Sequence, residues 1–126
     1  EQALKQFALR VVGHSHAGGT KTVKPYAYLP WPVHGVPLAT TELLGFRNAV
    51  RNGRTNLTKP LVVHCSAGVG RTGTYIAIDR LLEQCFDQTR LDVDVIVRDM
   101  RLARNFMVQT EIQSVIYQSL VTRCAP

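Results

Sequence analysis

The amino-acid sequence predicts an α/β fold, a twisted mixed sheet flanked by helices, with a glycine-rich loop between a strand and a helix. Three observations predict it. Pro60 is followed by the apolar run Leu61-Val62-Val63, which reads as a short buried strand, and then by Ser66-Ala67-Gly68-Val69-Gly70, too rich in small residues for a regular element. From Thr72 onward, Tyr75, Ile78, Leu82 and Cys85 with Phe86 keep helical spacing, so the loop opens into a helix with one buried face. Upstream, Ala8-Leu9-Arg10-Val11-Val12 has the composition of a strand.

Taken in order, that first strand leads into a turn over His14-Ser15-His16-Ala17-Gly18-Gly19-Thr20, and a second, imperfect strand follows from Thr22 to Trp31, giving a hairpin-like start. His14 and His16 would share a face, but nothing of metal-ligating type lies near them and they read as exposed turn residues. Pro30-Trp31-Pro32-Val33-His34-Gly35-Val36-Pro37 holds three prolines and a glycine, so it is an irregular loop. Thr40-Thr41-Glu42 opens a helix with a threonine cap and an early acid, Leu43, Phe46 and Val50 form its packed face, and Asn52-Gly53 ends it. Asn56-Leu57-Thr58 matches a glycosylation acceptor, a triplet common by chance.

The central loop carries the chemistry. Placed at a helix N-terminus, the backbone N–H groups of Ser66, Ala67, Gly68, Val69, Gly70 and Arg71 lack intrahelical carbonyl partners and can converge on an anion, and the small residues let the backbone approach it. Those dipoles and the Arg71 guanidinium favour thiolate over thiol at Cys65. Arg71 follows Cys65 at a distance that lets the loop curl round one tetrahedral group and return a planar fork to two of its oxygens. The expected object is a phosphate cradle with a nucleophile at its floor. His64 is expected to orient the loop by hydrogen bonding rather than to act as base or ligand.

Beyond the loop, Asp92 can cap a helix with Val93, Ile96, Val97, Met100 and Ala103 on its apolar face and Arg98, Arg101 and Arg104 elsewhere. Gln109 and Gln113 are neutral amides that share one side of a helix start, and Ile112, Val115, Ile116 and Leu120 form the buried stripe of the last helix.

Composition bounds the rest. A chain of 126 residues makes at most one domain, and a 45% hydrophobic, 19% charged composition is globular rather than disordered. No apolar run approaches the ~20 residues of a membrane span and no signal pattern opens the chain, so no membrane contact by this segment is expected. The formal charge of +6 favours an anionic partner. Few aromatics and scattered basic residues disfavour nucleic acid and leave a phosphorylated ligand as the better fit. The three cysteines, Cys65, Cys85 and Cys124, lack metal-ligand spacing, and their odd number argues for a reducing compartment. Oligomeric state is not legible.

The run from His64 to Gly73, His-Cys-Ser-Ala-Gly-Val-Gly-Arg-Thr-Gly, resembles residue for residue the signature loop of the tyrosine-specific protein phosphatases. The Trp31-Pro32-Val33-His34 segment is similar to that family's mobile loop, written Trp-Pro-Asp-His-Gly-Val-Pro. The resemblance covers about residues 8 to 122 and implies the C-terminal half of a phosphatase domain. It implies a cytoplasmic setting, in a soluble protein or in the cytoplasmic part of a membrane receptor. It further implies phosphotyrosine-containing proteins as substrates and a cysteinyl-phosphate intermediate, with no metal or organic cofactor. Cys65 would attack, and Arg71 with the loop amides would hold the phosphoryl oxygens. Thr72, in itself a first-turn helix hydroxyl, would stabilise the departing thiolate. Gln109 and Gln113 would place the hydrolytic water, and Arg101 and Arg104 would support the loops.

The departure is Val33, which stands where the family has aspartate. Expelling a tyrosyl oxyanion of pKa ~10 needs a proton, and a general acid is worth ~10²–10⁴-fold. Valine supplies none, and His34 is a poor substitute because it also adjoins the family's aspartate. Two expectations therefore stand: a phosphatase with impaired turnover or, alternatively, an inactive domain that only binds phosphotyrosine.

Overall fold

The computed structural model describes residues 7–9, 12–16, 19–28, 31, 40–87, 90–111, 114, 117–118 and 120–121. These fall into two compact units, one within residues 1–33 and 37–55 and the other within 34–36 and 56–126.

The first unit opens with four strands, β1 (Phe7–Leu9), β2 (Val12–His16), β3 (Gly19–Val23) and β4 (Tyr26–Tyr28). β2 pairs antiparallel with β3, setting Val12 opposite Val23 and His16 opposite Gly19, and β1 pairs antiparallel with β4, setting Phe7 opposite Tyr28 and Leu9 opposite Tyr26. Both ladders are symmetric about residues 17–18, so they share one register and form one interrupted hairpin. The hairpin is as expected, but His14, Ser15 and His16 belong to its strand and not to its turn, with His14 opposite Lys21. Polar side chains do not prevent this, because a two-stranded ribbon is held by backbone hydrogen bonds that any residue but proline can make.

Helix α1 (Thr40–Gly53) follows, with Glu42 in its first turn and Arg51 in its last, each placed favourably on the helix dipole. Leu43, Phe46 and Val50 are buried as their spacing predicts, and Arg47 completes the buried stripe. Within this unit the Tyr28 ring lies 5.3 Å from that of Phe46 and meets the ring of buried Trp31 edge-on at 6.2 Å. Such aromatic pairs add to the area they bury. Trp31 is thereby packed from below, while Pro32, Val33 and His34 lie outside the described residues.

The second unit contains α2 (Gly70–Phe86), α3 (Val93–Ala103) and helical turns between 111 and 121. Asp92 caps α3 as expected, its side chain accepting from the Val95 N–H at 3.1 Å. Ala77, Ile78, Leu81, Ile96, Met100, Met107, Val108, Tyr117 and Leu120 make the core. Arg80 and Asp99 join α2 and α3 at the surface with a 3.1 Å ion pair that adds little stability.

Three expectations are corrected. Residues 61–63 form no strand: Leu61 and Val62 are 39% and 83% exposed. A strand is a paired object, and among the described residues none runs beside this run, so its apolar composition alone does not make one. Among the described residues every strand pair is antiparallel. On α2, Tyr75 and Ile78 are buried as expected, joined by Thr74, Ala77 and Leu81, and the expected face fails only toward the C-terminal end. Leu82 and Cys85 are only half-buried, and Phe86 is 73% exposed. On α3 the buried residues are Ile96 and Met100, whereas Ala103 is exposed. Ile112, Val115 and Ile116 lie outside the described residues.

Candidate active site

Cys65 ends the extended run and begins a series of bends over residues 66–69 that delivers the chain to the first turn of α2. Val69 is the N-cap of that helix and supplies no side-chain cap, so the first-turn N–H groups are not taken by their own cap residue. Gly68 turns the loop with φ +74, a left-handed value that L side chains adopt at a cost. Its N–H donates to the Cys65 sulfur at 3.2 Å.

That sulfur is electrostatically prepared. Burial works against its ionisation, but the Thr72 hydroxyl and the N–H groups of Thr72, Gly68 and Val69 outweigh it and hold the thiol below its ordinary value. The buried Thr72 hydroxyl makes no hydrogen bond of its own within the protein, so its part at the sulfur is that of a nearby dipole. Aligned donors lower the pKa of the thiol.

The loop is held from behind by α3 and the turn that follows it. Arg104 donates to the Ala67 carbonyl at 3.2 Å, and its guanidinium packs under Gly68, where a Cβ would approach it to 3.3 Å. Arg101 donates from Nε to the Met107 carbonyl at 3.0 Å and from a terminal nitrogen to that of Val108 at 3.1 Å. Both arginines thus take the supporting positions that the sequence resemblance implies. The turn that Arg101 supports is strained: Phe106 and Val108 have φ values of 64° and 60°, unusual for bulky side chains and most of all for a β-branched one. Val108 is fully buried and donates its N–H to the Val69 carbonyl at 3.0 Å, the same oxygen that accepts from Gly73 at 3.1 Å. Gly73 has no room for a side chain, since a Cβ there would collide with the Val108 backbone. The hydroxyl of buried Tyr117 donates to the Gly73 carbonyl at 2.9 Å.

The structure therefore brings Cys65, Ser66 to Arg71 and Thr72 together around one turn. Gln109 directly follows the Val108 backbone bond and is exposed. Gln113 lies outside the described residues, and Trp31 belongs to the other unit. His64 does not orient the loop from below: its side chain is exposed and makes no hydrogen bond among the described residues, because the run before it packs under nothing. Sequence reasoning missed Tyr117 and the double acceptor at Val69. A glycine inside a helical pattern was the available signal for a close backbone approach at position 73. Nothing in residue spacing points to Tyr117.

A hydrogen-bonded cysteine of lowered pKa at a helix start without a side-chain cap, backed by arginines, is built to meet a tetrahedral oxyanion. The model of the protein-tyrosine phosphatase family matches residues 1–122. The chain belongs to that family, and membership carries the α/β class. Among proteins it is similar to, receptor-type tyrosine-protein phosphatase eta of Gallus gallus is 46% identical over 102 residues, covering 79% of this chain and 7% of the relative. Its counterpart in Mus musculus is 42% identical over 125 residues, covering 96% and 10%. Receptor-type tyrosine-protein phosphatase F of Mus musculus is 40% identical over 119 residues, covering 94% and 6%. The chain thus spans a tenth or less of the length of these relatives. Among the described residues, no helix is long and apolar enough to cross a membrane.

Proposed function

We propose that the chain is the C-terminal half of a protein tyrosine phosphatase domain, acting in the cytoplasm on phosphotyrosine-containing proteins through a cysteinyl-phosphate, with turnover impaired by Val33. The observation that carries this is the Cys65 sulfur at the start of α2, which accepts from the Gly68 N–H at 3.2 Å and whose pKa the surrounding donors lower. In the first step the sulfur attacks phosphorus, the phosphorus–oxygen bond to the tyrosyl ring breaks, and the ring oxygen leaves with the electron pair. The loop N–H groups and Arg71 hold the three equatorial oxygens. In the second step water, placed by Gln109 and Gln113, attacks phosphorus and gives its proton to bulk solvent, the sulfur–phosphorus bond breaks with its electron pair returning to Cys65, and phosphate is released. Thr72 steadies the returning thiolate.

Neither step has the carboxylate that would hand a proton to the leaving phenolate or take one from water, because Val33 stands in its place. A low-pKa aryl phosphate, whose phenolate needs no proton, is therefore turned over far better than a phosphotyrosyl peptide, and Val33→Asp raises the peptide rate by ~10²-fold or more. Rates on both substrates that stay equal and negligible in Val33→Asp would overturn the enzymatic reading. They would leave the second one, which Val33 itself favours: an inactive domain that captures phosphotyrosine in an intact cradle.

A further inference from the structure

We propose that Tyr117 is a positioning residue for the cradle, its buried hydroxyl holding the Gly73 carbonyl and, through it, the first turn of α2 that aims the donors at Cys65. The proposal rests on reading the loop at 65–71 as a phosphate cradle, and it adds a residue from the last helical segment to the machinery behind that loop. Tyr117 is fully buried, so its hydroxyl must be satisfied inside the protein, and it donates to the Gly73 carbonyl at 2.9 Å. The neighbouring Thr74 hydroxyl donates to the Gly70 carbonyl at 2.9 Å and also meets the Tyr117 hydroxyl, so both side chains tie into the first turn of α2. Gly73 is thereby fixed on three sides. Its N–H goes to Val69, its α-carbon abuts the Val108 backbone, and its carbonyl receives Tyr117.

The consequence lies one residue away. Thr72 and Val69, whose N–H groups lower the pKa of the thiol, are both tied to Gly73, Thr72 by a peptide bond and Val69 by accepting the Gly73 N–H. Rotation of the Gly73 peptide therefore misaligns two of the donors on Cys65 at once. Hydrogen bonds weaken steeply with angle, so a small loss of alignment is felt at the thiol.

The test is the pH dependence of Cys65 alkylation by iodoacetamide, in the unaltered chain and in Tyr117→Phe, which removes the hydroxyl and keeps the ring. Losing one buried hydrogen bond moves the alkylation midpoint to higher pH, so that the rate at pH 6 falls about two- to fivefold. Leu120→Val serves as a control, lowering stability from the same helical segment without removing a bond to α2, and its midpoint stays in place. A Tyr117→Phe midpoint equal to that of the unaltered chain, or the same shift in Leu120→Val, overturns the proposal. Inorganic phosphate is added in a parallel series. If it fails to protect Cys65 in the unaltered chain, the cradle reading fails, and the midpoints, which need no phosphate, still decide the role of Tyr117. Should Tyr117→Phe not fold, hydrogen exchange of the unaltered chain decides instead: the amides of residues 70–74 open together with those around Tyr117 if the two are coupled, and independent opening overturns the proposal.

Discussion

Val108 donates its backbone N–H to the Val69 carbonyl at 3.0 Å, and this bond ties the turn after α3 to the first turn of α2. It requires the two backbones to lie closer than side chains normally allow, which is why the residue between them is Gly73.

Gly73→Ala is expected to destabilise the second unit by about 1–3 kcal/mol, the usual cost of forcing an extra carbon into a packed site. A denaturant midpoint that does not move would show that the two backbones can separate freely.

Phe106 is exposed and left-handed, so replacing it with glycine relieves backbone strain without opening the core. Phe106→Gly is expected to raise stability by about 0.5–1 kcal/mol. Leu102→Gly, at an equally exposed site in right-handed helix, is expected to lower it by about 1 kcal/mol. Thermal melts of the pair check the opposite signs.

Arg101 meets two carbonyls, those of Met107 and Val108. A lysine carries the charge but not the planar fork, so Arg101→Lys is expected to lose most of what Arg101→Met loses, about 1–3 kcal/mol. Double-mutant measurement with Val108→Gly checks the origin: part of the loss disappears when the turn no longer needs holding.

Cys65 alkylation follows the thiolate, so its rate rises with pH and levels off above the thiol's pKa. Because donors lower that pKa, the midpoint is expected below the ordinary thiol value. Thr72→Val removes one lowering donor and moves the midpoint upward. A midpoint unchanged by Thr72→Val would assign the effect to the backbone N–H groups alone.

Much of this was legible in the sequence wherever a local rule applied. The packed face of α1 follows from the spacing of Leu43, Phe46 and Val50, and the start of α3 from Asp92 as its cap. The loop from Cys65 to Arg71 was legible because its chemistry is written contiguously. What failed depended on partners distant in the chain. Leu61 to Val63 has the composition of a strand, but pairing and not composition makes one. His64 needed that strand beneath it to become a supporting residue. On α2 the spacing holds for Tyr75 and Ile78, which are buried, and fails at the C-terminal end, where Phe86 is left exposed. Tyr117 meets Gly73 across forty-four positions, and no periodicity encodes such a contact.

The two glycines of the loop and helix start are constrained by different kinds of necessity. Gly68 is required by its own torsion angle, Gly73 by a neighbour's position. In a suppressor screen the two would therefore behave differently. A defect at Gly73 is open to repair by second changes that let the 107–108 backbone move away. A defect at Gly68 begins in its own torsion angle, so moving its neighbour Arg104 does not remove it, and revertants there return to glycine itself.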